Sequence, residues 1–171
     1  MLGSILMLFF IVAYVIFDTH GIGDRSIDKT NKSVEAIVAA LGNKDSSQFV
    51  RGLSKVYSMV GSLVGEVDIL SRGPDGRLNF AGWVVDKRHA GEPMLVFLVV
   101  PEKAVFVTSS GRSRDDVRKT LNLPESAAPG FGDVFNYQFD CKFNEQNPYV
   151  VVVNQKKEFA LIKPLIRASG C

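Results

Sequence analysis

The sequence predicts a mainly β protein: an antiparallel β-sandwich of about seven strands, preceded by an N-terminal transmembrane helix and a short helical stalk. Three observations carry that reading. Residues 2–17 contain no charged side chain. Residues 33–65 place apolar side chains three and four apart, the period of an amphipathic helix. From Glu66 onward the period falls to two, with turn residues between short apolar runs. The expected divisions are an anchor over 1–21, a linker and stalk over 22–65, a β domain over 66–163 and a tail over 164–171.

The anchor reads LGSILMLFFIVAYVIF from Leu2 to Phe17, and Asp18 is the first charge. Such a helix rises about 24 Å against a hydrocarbon core of roughly 30 Å, and continuing it to His20 or Gly21 makes up the difference. Leu6, Phe9 and Phe10 belong to the apolar run, with Tyr14 and Phe17 near the headgroups, where aromatic rings are favoured. The lipid bilayer is therefore an expected partner. A secretory signal would want a basic start and small residues before a cleavage site. No Lys or Arg precedes the run and nothing like Ala-x-Ala comes after it, so an uncleaved anchor is the reading. Arg25, Lys29 and Lys32 lie just after the span and favour a cytoplasmic head, yet a long domain translocates despite nearby charge. A β-rich head on one N-terminal span suits the bacterial envelope. The expectation is a single pass of the bacterial inner membrane with a periplasmic head, the cytoplasmic side being the alternative.

GIGDRSIDKTNKS (21–33) is a polar connector, and its Asn31-Lys32-Ser33 is a chance match to the glycosylation pattern. Ser33 caps a helix bearing Val34, Ile37, Val38 and Leu41 on one face, and Gly42 stops it. A second helix begins at Ser46 or Ser47, with Phe49, Val50, Leu53, Val56, Tyr57, Val60, Leu63 and Val64 at helical spacing. Gly52, Gly61 and Gly65 weaken it by about 1 kcal/mol each relative to Ala. Its apolar face either packs on the adjoining β domain or, through Phe49, Leu53, Tyr57 and Val60, docks onto other membrane-protein subunits.

In the β domain, EVDIL (66–70) leads into a Pro-Asp-Gly turn. RLNFAGWVVD (77–86) then places Leu78, Phe80 and Gly82 on one face. MLVFLVV (94–100) is apolar throughout, as a strand buried on both faces would be, and AVFVTSS (104–110) returns as a hairpin. Ser113 with Asp116 has capping-box spacing and opens a short helix carrying Val117 and Leu121, which Pro124 ends. DVFNYQFDCKF (133–143), YVVVV (149–153) and EFALIK (158–163) complete the strands.

These residues, in order, resemble a family. Gly82-Trp83-Val84-Val85-Asp86, the hairpin around Pro101, Arg112 with Arg114-Asp115-Asp116-Val117, and Pro129-Gly130-Phe131 are similar to small β-sandwich modules. Such modules occur beside bacterial glycosyltransferases and in other envelope proteins. Val84 stands where they carry a small residue. The resemblance covers residues 77–162 and implies a binding or scaffolding role without catalysis.

Composition narrows the function further. Lys+Arg 20 against Asp+Glu 18 leaves +2, with the signs interspersed, so nucleic acid is not an expected partner. Two Cys and two His without ligand spacing supply no metal site, and no fingerprint loop asks for a cofactor. Cys141, His89 and Asp86 can be written as a catalytic set, but no nucleophile elbow or oxyanion feature accompanies them. Asp115 and Asp116 read as helix-start residues rather than as an acid/base pair. Trp83 reads as a packing anchor, or, with Asp86 and Arg112, as a glycan contact. The expectation is a non-catalytic accessory or scaffolding subunit of a larger membrane complex. The alternative is a membrane-anchored carbohydrate-binding module.

Overall fold

A computed structural model of the chain describes residues 51–100, 104–137 and 148–162. The chain divides into two compact units, Met1–Leu53 and Ser54–Cys171. Of the first, only residues 51–53 are described, and they are helical. The expected span with Leu6, Phe9, Phe10, Tyr14 and Phe17, the helix after Ser33, Phe49, Cys141 and the tail all lie outside the described residues. Among the described residues no helix is long and apolar enough to cross a membrane.

The second unit is mainly β. Its described strands are β1 (Ser58–Met59), β2 (Leu63–Arg72), β3 (Leu78–Asp86), β4 (Leu95–Val100), β5 (Ala104–Ser109), β6 (Gly130–Phe135), β7 (Tyr149–Val153) and β8 (Glu158–Ile162). One helix, α1 (Asp115–Thr120), lies between β5 and β6. The strands form a five-stranded sheet, β1-β8-β7-β4-β5, and a three-stranded sheet, β2-β3-β6. All pairings are antiparallel except β1 with β8.

The two sheets bury one core between them. Leu70, Leu78, Phe80, Val84 and Phe131 of the three-stranded sheet meet Val96, Leu98, Val100, Val150 and Val152 of the other. The continuous apolar run of β4 behaves as expected. Val96, Leu98 and Val100 enter this core, while Phe97 and Val99, on the opposite face, are fully buried as well. Along one side the sheets are bridged by aromatic contacts: the Phe106 ring of β5 lies 4.9 Å from Phe135 of β6 and 5.1 Å from Tyr137.

The Pro-Asp-Gly turn forms as its residues dictate. Gly76 takes φ 82°, its N–H donates to the Gly73 carbonyl, and the Asp75 carboxylate accepts from the Arg77 N–H at 3.0 Å. Three other expectations are corrected. The second stalk helix does not run to Val64: residues 54–57 turn, β1 pairs with β8, and β2 has begun at Leu63. Helical spacing at Val56, Tyr57 and Val60 is outweighed by main-chain ladders, with Ser58 and Val60 donating to the carbonyls of Lys157 and Phe159. Gly65, read as a helix weakener, lies in β2 against the Trp83 carbonyl, where a Cβ would also stand 2.7 Å from Val84 Cγ1.

The strand expected over 133–143 starts instead at Gly130; β6 ends at Phe135, and residues 138–143 lie outside the described residues. Its glycines hide it from a propensity reading, because Gly is a poor strand former outside such a pairing. The capping box is also absent. Arg114 occupies the cap position without a side-chain cap bond, and the Ser113 hydroxyl donates to Asp115 at 2.9 Å. Asn122, at φ 52°, supplies the left-handed residue after the helix before Pro124 is reached. Replacing Ser113 with Ala is therefore expected to change stability by less than about 0.5 kcal/mol, where a working cap would cost about 1 kcal/mol. Urea unfolding of the variant checks this.

Candidate functional site

The outer face of the three-stranded sheet, away from the shared core, is crossed by rows of paired residues. Glu66, Trp83 and Gly130 make one row, Ile69, Ala81 and Gly132 the next, and Ser71, Asn79 and Val134 a third. Because β3 turns Leu78, Phe80 and Val84 into the core, alternation turns Trp83 outward, where it is half-buried. Trp83 is not part of the shared core. Ile69 and Val134 on the same face are 47% and 45% exposed.

The loop between β5 and α1 lays two arginines on this face. Arg112 pairs with Gly130 through both main-chain groups, each at 2.9 Å. Gly130 and Gly132 leave room for both arginine side chains. A Cβ at Gly130 would stand 2.8 Å from Arg114 Cγ, and one at Gly132 would stand 3.0 Å from Arg112 Nη1 and 3.4 Å from its Cζ. The Arg112 guanidinium thus occupies the gap left by Gly132, beside Ala81.

Arg114 crosses from Gly130 on β6 to Asp68 on β2, and also holds Asp116 through Nε and Nη2 at 2.8 and 2.7 Å. Asp116 and then Asp68 raise the Arg114 guanidinium above its usual range, and Arg114 in turn holds the Asp116 carboxyl at about 2. Asp115 instead binds Ser113 and Arg118. The adjacent carboxylates of Asp115 and Asp116 therefore serve different cations and do not form an acid/base pair. Arg112, by contrast, makes no ion pair among the described residues.

Asp86 is elsewhere. It lies at the end of β3, 1% exposed, and accepts from the Arg88 N–H at 3.0 Å and from Asn154 Nδ2 at 3.1 Å. Arg88 Nε and His89 Nδ1 stand at 3.4 Å. Asn154 Nδ2 also reaches Glu158 at 2.7 Å, and its oxygen accepts from the N–H groups of Lys156 and Glu158, both at 3.0 Å. Burial pushes the Asp86 carboxyl up. The Arg88 N–H, the Asn154 amide, the Arg88 guanidinium and His89 outweigh it and bring it to about 2. Of the sequence-selected glycan contacts, Trp83 and Arg112 share a face, and Asp86 joins the two sheets instead.

Leu53 and Tyr57 are buried, and Val60 packs against the shared core. His89 Nε2 stands 2.5 Å from Lys156 Nζ, and its expected nucleophile, Cys141, lies outside the described residues. Sequence reasoning assigned no site role to Glu66, Asp68 or Arg114. The available signal was Gly130-x-Gly132, two absent side chains on one strand face facing an arginine-rich loop. Compared with protein-family models, with curated proteins and with solved structures, the chain matches none.

Proposed function

We propose that the chain is a non-catalytic, single-span membrane protein that acts as an accessory or scaffolding subunit of a larger bacterial membrane complex, in energy transduction or envelope biogenesis, with its β head on the periplasmic side. The observation that carries the reading is the uncharged run from Leu2 to Phe17, succeeded by a polar connector and a β unit. An anchored β unit with an open, polar and aromatic sheet face is suited to holding a partner beside the bilayer. Its arginines and tryptophan are the residue types that dominate binding energy at interfaces.

Membrane extraction tests the anchor. The chain is expected to stay in the membrane fraction through alkaline carbonate and to leave it in mild detergent. Replacing both Leu6 and Phe10 with Asp is expected to move it to the soluble fraction, since a charge at the centre of a span costs about 3 kcal/mol. Purification in mild detergent tests the subunit role. Stoichiometric co-purifying subunits are expected, and a monodisperse monomer without them would count against it.

A second reading, a membrane-anchored carbohydrate-binding module, is favoured by one observation. Trp83 and Arg112 lie on the same open sheet face, with Glu66 across from the ring.

A further inference from the structure

We propose that the outer face of the three-stranded sheet takes a saccharide bearing an anionic group, with the sugar ring against Trp83 and the carboxylate or phosphate on Arg112. The inference rests on the carbohydrate reading and adds to it the charge class of the ligand and its orientation.

The argument begins with spacing. Trp83 and Ala81 point out of the same face of β3, so their rows lie roughly 7 Å apart. The Arg112 guanidinium sits in the second row, over Gly132. One row spacing is the reach of a pyranose ring and the acid group it carries. Trp83 is half-buried on this face, and an indole is the kind of apolar surface that the C–H face of a sugar requires.

Charge then selects the ligand. Arg114 is neutralised by Asp68 and Asp116 and held across the sheet. Arg112 is exposed and has no such partner among the described residues, so its fork remains open to a carboxylate or phosphate in two-point contact. A neutral sugar would leave that fork unused. Glu66, opposite Trp83 on β2, also makes no ion pair among the described residues. It accepts from sugar hydroxyls and repels an anion, which turns the acid group toward β6 and the hydroxyls toward β2.

The test uses the full chain in detergent micelles and reads the fluorescence of its single tryptophan. Three probes are titrated: oligogalacturonate, its carboxyl-reduced counterpart, and a phosphate-bearing oligomannose. At least one anionic probe is expected to bind tenfold or more tighter than the reduced one, and to weaken as salt rises. Which of the two binds identifies carboxylate or phosphate as the group. Arg112→Gln, an exposed change, is expected to lower the anionic affinity about tenfold and so to close the gap between the anionic and the reduced probe. Equal binding of charged and reduced probes, or an unchanged Arg112→Gln, would overturn the inference and leave the carbohydrate reading standing. No response to any probe would overturn both.

Discussion

Gly82→Val is expected to be the most destabilising single change in the β unit. The Cβ position at Gly82 collides with the Glu66 carbonyl oxygen, lies 2.8 Å from Phe131 Cζ and 3.0 Å from Val67 Cα. Two of these three obstacles are main chain. Glu66 and Val67 belong to β2, held to β3 along its length, and a register irregularity comes directly after Val67. Phe131 cannot withdraw freely, since its ring packs 4.9 Å from Phe80 in the core. Overpacking a core costs about 1–3 kcal/mol when side chains can yield, and more when backbone must move. A loss of about 3 kcal/mol or more is therefore expected, a large share of a typical domain's stability. Urea denaturation monitored by near-ultraviolet circular dichroism reads it. A variant with an unchanged midpoint would show that β2 and β3 separate more easily than their pairing implies. Gly82→Ala is expected to fall between Val and the native residue.

Asp86→Ala is the second large effect. Its carboxylate joins the end of β3 to the turn between β7 and β8 through Asn154, a partner 68 residues away. Truncation leaves the buried Asn154 amide and the Arg88 N–H short of an acceptor, a loss of about 2–4 kcal/mol. The same carboxylate sets an acid dependence. Its folded value is depressed from the ordinary 3.8 to about 2. A depressed carboxylate contributes stability above its unfolded value and loses it as pH falls toward its folded one. At about 1.4 kcal/mol per unit, this is on the order of 2 kcal/mol, given up between about pH 4 and pH 2. Unfolding midpoints measured from pH 5 to pH 2 should fall more steeply for the native chain than for Asp86→Asn. Parallel curves would remove Asp86 from the account. Combining Asp86→Ala with Asn154→Ala is expected to cost less than the sum of the two, because either change alone breaks the link.

These two residues show how the Gly-Trp-Val-Val-Asp stretch works. Gly82 lets β2 and Phe131 approach, Trp83 turns to the open face, and Asp86 closes the end of the strand. The order of the residues was visible in the sequence, and their division of labour was not. Asp86 lies close to Trp83 in the chain and Arg112 far from it, yet only Arg112 shares its face. A carboxylate three residues along a strand from an outward tryptophan points to the opposite side, and here it finds a turn that arrives 68 residues later.

Where most strands lie, and what turns them, follows from residues that are neighbours in the chain. Period-two alternation in β3, the unbroken apolar run of β4, and the Pro-Asp-Gly turn are local properties, written in side-chain chemistry within a few residues. The alternation read over 66–70, in contrast, is broken by the irregularity after Val67, which turns Ile69 outward and Leu70 into the core. Tertiary structure decided the rest. It converted residues 58–59 and 63–64 from helical spacing to strand, because ladders with β3 and β8 and burial in the core outweigh a weak, glycine-interrupted helix. It placed β4 between β5 and β7, and it set Arg112 over the gap at Gly132. Such outcomes depend on hydrogen bonds and burial between segments far apart in the chain, and local periodicity carries no record of which distant segment will supply them.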